Sequence, residues 1–131
     1  MEPKPALTDD TDPIERIDGV AVLRLAGRER STKAVVDRVS SALGRAADAG
    51  LERCILDVTA LTGFPAPTLS ERHAMVRDWA AAVRGRMIVA MVCSPELIDP
   101  ERFGVVAAMN FGLRSNVFAD LDEAIAWLRE A

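Results

Sequence analysis

With 131 residues, half of them hydrophobic and 27% charged, the chain has the balance of one globular domain that needs neither disulfide nor metal staples. Its formal net charge of −4 at pH 7 argues against nucleic acid as a partner, because phosphate binding requires clustered basic charge. The arginines, which far outnumber Lys4 and Lys33, are scattered among Asp and Glu and read as a mixed-charge surface.

Residues 1–12 carry Pro, Thr and three acidic residues in their last four positions, with little apolar content, and are expected to form a flexible tail ahead of a single domain over residues 13–131. Ile14 to Ile17 and Val20 to Leu25 flank Asp18-Gly19, a two-residue hairpin signal. The second of these runs alternates only roughly, so both of its faces are expected to be covered. A charged turn over Gly27 to Arg30 leads to Ser31, an N-cap for a helix to about Ala49, with Val35, Val36, Val39, Leu43 and Ala46 at helical spacing. Gly50 stops it, and Leu51 to Val58 read as a central parallel strand.

An irregular loop rich in Thr and Pro follows, running to Ser70. Thr68-Leu-Ser-Glu71 is a capping box, and the helix it opens sets Leu69, Val76, Trp79, Ala80 and Val83 on one side until Gly85. Met87 to Val92 form another buried strand. Ser94-Pro95 and Asp99-Pro100 pair a cap residue with proline, and the second opens a helix through Phe103, Val106 and Ala107 that Gly112 closes. Asn116 to Ala119 is a short last strand. Asp120-Leu-Asp-Glu123 is a second capping box, starting a terminal helix with Leu121, Ile125 and Leu128 inward. Strands alternating with helices predict an α/β fold: a four- or five-stranded mixed, mainly parallel sheet with an N-terminal β-hairpin and about four helices.

Chemistry finds little purchase. His73 is the sole histidine, on an Arg-rich helical segment without a second soft ligand at helical spacing, so no metal and no cofactor is expected. Ser70 would share a helical face with His73, but nothing resembles a nucleophile elbow, and Ser70 is explained as a first-turn helix residue. Asp57 sits near a strand end as in response regulators, yet the last strand lacks their lysine, which removes phosphoryl chemistry there. Glycine-rich and lysine-containing phosphate loops are absent. Cys54 and Cys93 lie in or at the end of apolar runs without CxxC spacing and read as reduced thiols. Cys93, before Ser94-Pro95, stands where helix amides acidify a thiol, although a small buried hydrophobe explains it as well. Trp79 and Trp127 recur with other apolar residues at helical spacing as core or interface anchors. The first residues lack the basic start and apolar run of a secretion signal, and no stretch reaches the roughly 18–20 apolar residues of a membrane span, so a cytoplasmic location is expected.

Ile55-Leu-Asp-Val before a helix, together with Val117-Phe-Ala-Asp-Leu-Asp-Glu-Ala-Ile-Ala-Trp-Leu128, resembles the STAS superfamily, and more narrowly its SpoIIAA-like branch. The likeness covers about residues 13 to 130. It implies a sheet with helices packed mainly on one side, related in shape to CRAL-TRIO lipid-binding domains. Anti-sigma-factor antagonists of this superfamily carry an Asp-Ser-Ser-Gly-Leu segment whose serine is phosphorylated. Aligning Asp57 and Leu69 with that pattern sets Pro65, Ala66, Pro67 and Thr68 across Asp-Ser-Ser-Gly, so Ala66 holds the phosphoacceptor position, and Thr68 or Ser70 can take the phosphate only if the loop is shifted.

The expected function is a non-enzymatic regulatory or small hydrophobic-ligand-binding domain, as a homodimer. Its contact surface comprises the loop and helix start with Asp57, Thr59, Thr62, Phe64, Thr68, Ser70 and His73, and the turn over Cys93, Ser94 and Leu97. The alternative is a phospho-regulated anti-sigma-factor antagonist in a partner-switching pathway.

Overall fold

A computed structural model describes residues 14–131, and the tail expected at residues 1–12 lies outside them. The chain opens with strands β1 (Ile14–Ile17) and β2 (Val20–Arg28), paired antiparallel. Asp18 and Gly19 both adopt positive φ, 53° and 82°, as the tight turn between right-twisted strands requires. Helix α1 (Thr32–Asp48) starts where Ser31 Oγ accepts from the Ala34 amide at 3.1 Å, and its expected apolar stripe is buried throughout.

Strand β3 (Arg53–Thr62), helix α2 (Leu69–Val83), strand β4 (Ile88–Val92), a 3-10 turn (Pro95–Leu97), helix α3 (Phe103–Asn110), strand β5 (Ser115–Phe118) and helix α4 (Leu121–Glu130) complete the chain. The sheet runs β1-β2-β3-β4-β5, in chain order, with every pair after the hairpin parallel. Three right-handed crossovers stepping the same way must leave their helices on one face. The larger core accordingly joins Leu23, Leu25, Leu56, Val58 and Val89 of the sheet to Val39 and Leu43 of α1, Trp79 and Val83 of α2, and Ala107 and Ala108 of α3. Trp79 Nε1 donates to the Val36 carbonyl at 3.4 Å, so its buried indole is not left unpaired. α4 is no crossover and folds back over the opposite face, where Ala124, Ile125 and Leu128 meet Val20, Val22, Ile55, Ala90 and Val92. The middle strands are therefore covered twice, as the near-continuous apolar runs predict.

Four local expectations need correction. β2 reaches Arg28 and β3 reaches Thr62, so Gly27, Arg28 and Thr59 to Thr62 are strand rather than loop. The extension hinges on a bulge: Arg24 pairs with Asp57 but Ala26 with Ala60, leaving one extra residue on β3. Asp57 Oδ1 accepts from the Thr59 amide at 3.0 Å and from its hydroxyl at 2.7 Å, capping the irregularity, while Oδ2 meets Arg24 Nη1 at 3.2 Å. Secondly, Leu69 does not join the inward stripe of α2 but is 61% exposed. Thirdly, α3 begins only at Phe103, because Asp99 spends its carboxylate on a turn that accepts from the Glu101 and Phe103 amides at 3.2 and 2.9 Å. Lastly, Asp120 precedes α4 without a side-chain cap. Its end is exposed, and Asp122 and Glu123 in the first turn complement the helix dipole instead.

Asp57 thus holds a bulge together. Asp57→Ala strips the Thr59 amide of its acceptor and is expected to cost about 1–3 kcal/mol. Asp57→Asn keeps an oxygen for that amide and gives up only the 3.2 Å ion pair to Arg24, whose side chain is 43% exposed, costing about 0–1 kcal/mol. Urea denaturation of the two variants checks the order; equal losses would assign the stability to the ion pair.

Candidate functional site

At the carboxyl ends of the parallel strands, β3 delivers the loop Gly63 to Pro67 into α2 and β4, which stops level with Asp57, delivers the turn after Cys93. Gly63 (φ +95°) anchors that loop: a Cβ there would stand 2.7 Å from Arg28 Cγ and 2.8 Å from the Glu29 carbonyl oxygen. The neighbouring Glu29 amide donates to the Thr62 carbonyl at 2.8 Å, so the loop leaves the sheet from a fixed point. Phe64 then turns inward against the larger core, and the capping box closes at α2, with Thr68 Oγ1 accepting from the Glu71 amide at 3.1 Å and Glu71 Oε1 from the Thr68 amide at 2.8 Å.

The sequence-derived candidates fall into separate groups. Asp57 and Thr59 bond each other around the bulge, and Asp57 points to the sheet face opposite the one bearing Leu56 and Val58. Thr62 is exposed, its hydroxyl 3.5 Å from the Gly27 carbonyl. Thr68, Ser70 and His73 lie exposed on the first turns of α2, with the His73 ring edge-on to Phe111 at 5.2 Å. Phe64 and Cys93 line one internal space, while Ser94 is half-buried at the start of the 3-10 turn.

That space is a cavity of about 140 Å³ between the sheet and the α2–α3 layer. Met91 and Val117 on the sheet, Met75, Val76 and Trp79 on α2, and Leu97 and Ile98 after β4 contribute apolar walls. Arg72 and Arg102 stand at its edge, residues that sequence patterning did not single out. The spacing Arg72-Met75-Val76-Trp79, three and four apart, did carry the signal that these four share a helical face. Met91 shows the opening from below: it sits mid-strand between two hydrogen-bonded neighbours yet is only half-buried, whereas Ala90 and Val92 on the α4 side are fully covered.

Neither thiol suits nucleophilic chemistry. Burial pushes Cys93 up to about 11, outweighing the opposite pull of Arg72, and pushes Cys54 up to about 12. The helical turn after Cys93 spans only Pro95–Leu97 and supplies little dipole to acidify it. Among the described residues no group of three His, Cys, Asp or Glu side chains is placed to hold a metal, and no helix is long and apolar enough to cross a membrane.

Two measurements follow. With its thiol pushed well above the usual range and buried, Cys93 should react with iodoacetamide far more slowly in native protein than in denaturant; rapid native labelling would restore a reactive thiol. Gly63→Ala should lose about 1–3 kcal/mol in thermal unfolding, since it combines a positive φ with backbone overlap, and a neutral outcome would mean that the loop is not pinned there.

No family model matches the chain, and no curated protein matches it. Among solved structures, an anti-sigma factor antagonist from Mycobacterium paratuberculosis is similar at 16% identity and a TM-score of 0.57, over 91% of this chain and 93% of that one. The unphosphorylated form of the anti-sigma factor antagonist SpoIIAA aligns at 21% identity over 92% and 100% of the two chains, with a TM-score of 0.43. Five strands in chain order, an antiparallel hairpin edge, three helices on one face and the first of these likenesses together give this chain a STAS-like fold.

Proposed function

We propose that this chain is a non-enzymatic protein-binding domain of the anti-sigma-factor-antagonist type, docking through the outer surface of α2 and α3. The observation that carries the reading is the apolar exposure there: Leu69 is 61% exposed, Val106 56%, Met109 64% and Phe111 40%. Val106 and Met109 are one turn apart on α3, Phe111 at its end touches His73, and Leu69 stands one turn before His73. Isolated apolar residues on a surface mean nothing, but four on adjoining elements form a patch of the kind that a partner covers. The structural likeness to an anti-sigma factor antagonist supports the same reading at the level of fold.

Ser70 supplies a means of control. Its hydroxyl is exposed on the first turn of α2 beside Leu69, whereas Thr68 is committed to the capping box. A phosphate on Ser70 would be welcomed by the helix N-terminus and would place about two negative charges within the apolar patch, opposing a hydrophobic partner.

A two-hybrid or pull-down screen against the kinase-type anti-sigma factors of the source genome tests this directly. The native chain should bind one of them, and Leu69→Glu, Met109→Glu and Ser70→Glu should each weaken binding at least about tenfold, the scale of a buried hot-spot contact, with unchanged melting temperature. A native chain that binds none of them sinks the proposal, and full binding by Ser70→Glu sinks the phospho-control.

A further inference from the structure

The cavity on the inner side of α2 is separate from that docking surface and has a composition of its own. Its walls are almost wholly apolar, yet two guanidinium groups stand at its edge. Arg72 Nη1 donates to the Leu97 carbonyl at 3.1 Å, and Arg102 Nη1 donates to Asn116 Oδ1 and the Val117 carbonyl, each at 2.7 Å. These bonds fix both groups while leaving the Nε and Nη2 edge of each without a hydrogen-bond partner among the described residues. That edge is the planar fork that receives a carboxylate in bidentate fashion.

Asp99 is the one acid among the lining residues, and its oxygens are already taken by the Phe103 and Glu101 amides. Those two amide bonds, the Phe103 bond above all, hold its carboxyl below the usual range. The balance at the rim is therefore positive, with two fixed cations and one satisfied anion. An arginine edge held ready beside an oily cavity favours an anion whose remainder is apolar.

Size narrows the class. A cavity near 150 Å³ lined by Leu, Ile and Phe stays dry and takes up benzene, so about 140 Å³ suits a single ring or a chain of about six carbons. The short α3 creates the space: Gly104 faces Val76 with room for an added carbon, the nearest atom standing at 3.9 Å. We propose that this cavity binds a small apolar carboxylate, with the ring or alkyl chain against Met75 and Met91 and the acid group toward Arg72 and Arg102.

Methionine-methyl NMR of the full chain tests this with two probes of similar shape, benzoate and neutral benzyl alcohol. Benzoate should shift the Met75 and Met91 methyls saturably while leaving the exposed Met109 methyl in place. It should bind at least about tenfold more tightly than benzyl alcohol, the scale of one charge-assisted hydrogen bond. Arg72→Gln and Arg102→Gln should each weaken benzoate by about the same factor and leave benzyl alcohol unchanged. No saturable shift below about 10 mM benzoate, equal shifts at Met109, or arginine variants that bind benzoate as the native chain does would each overturn the proposal.

Discussion

The right-handed crossover governs this molecule. Because the strands lie in chain order, each of the three crossovers moves one strand further in the same direction, and all three helices are forced onto one face. One face of a five-stranded sheet is then crowded and the other is bare until α4 returns across it. The terminal helix is thus an obligatory cover for Val20, Val22, Ile55, Ala90 and Val92, and its amphipathic pattern follows from that duty.

Crowding does not mean complete filling. α1, at 17 residues, and α2, at 15, are long enough to seal β2 and β3, but α3 has only eight and offers Gly104, Ala107 and Ala108 toward the interior. Small residues on a short helix let it sit close to α2 while leaving volume over β4 and β5. The same helix has too many large apolar residues to bury, so Val106 and Met109 face outward. A cavity and an exposed apolar patch are two consequences of one short, apolar element, which places them on opposite sides of the α2–α3 layer.

The loop between β3 and α2 is correspondingly firm. Asp57 pins the bulge that lengthens β3, Gly63 packs against Arg28 and Glu29, and the capping box fixes the start of α2. The polar groups of this region are largely consumed by its own construction. Both thiols are raised by burial, so this region offers shape and apolar surface more than reactive groups.

Much of this was open to reading from the chain alone, because it rests on contacts close in sequence. Asp18-Gly19 dictates its turn, Ser31 and Thr68-Leu-Ser-Glu71 dictate their helix starts, and the spacing of Val35, Val39, Leu43 and Ala46 dictates which side of α1 is buried. Alternation of strands and helices then leaves little choice of topology. The bulge at Asp57 could not be read so, since it exists only relative to the pairing of β3 with β2. Leu69 has the helical spacing of an inward residue, yet no core residue covers it and it stands 61% exposed on the first turn of α2. Arg72 and Arg102 lie thirty residues apart and meet at one cavity only because Leu97 and Asn116 hold them there. Local patterning determined the elements and their order; the lengths of the elements relative to one another, set by packing at a distance, decided where space, exposure and charge would come together.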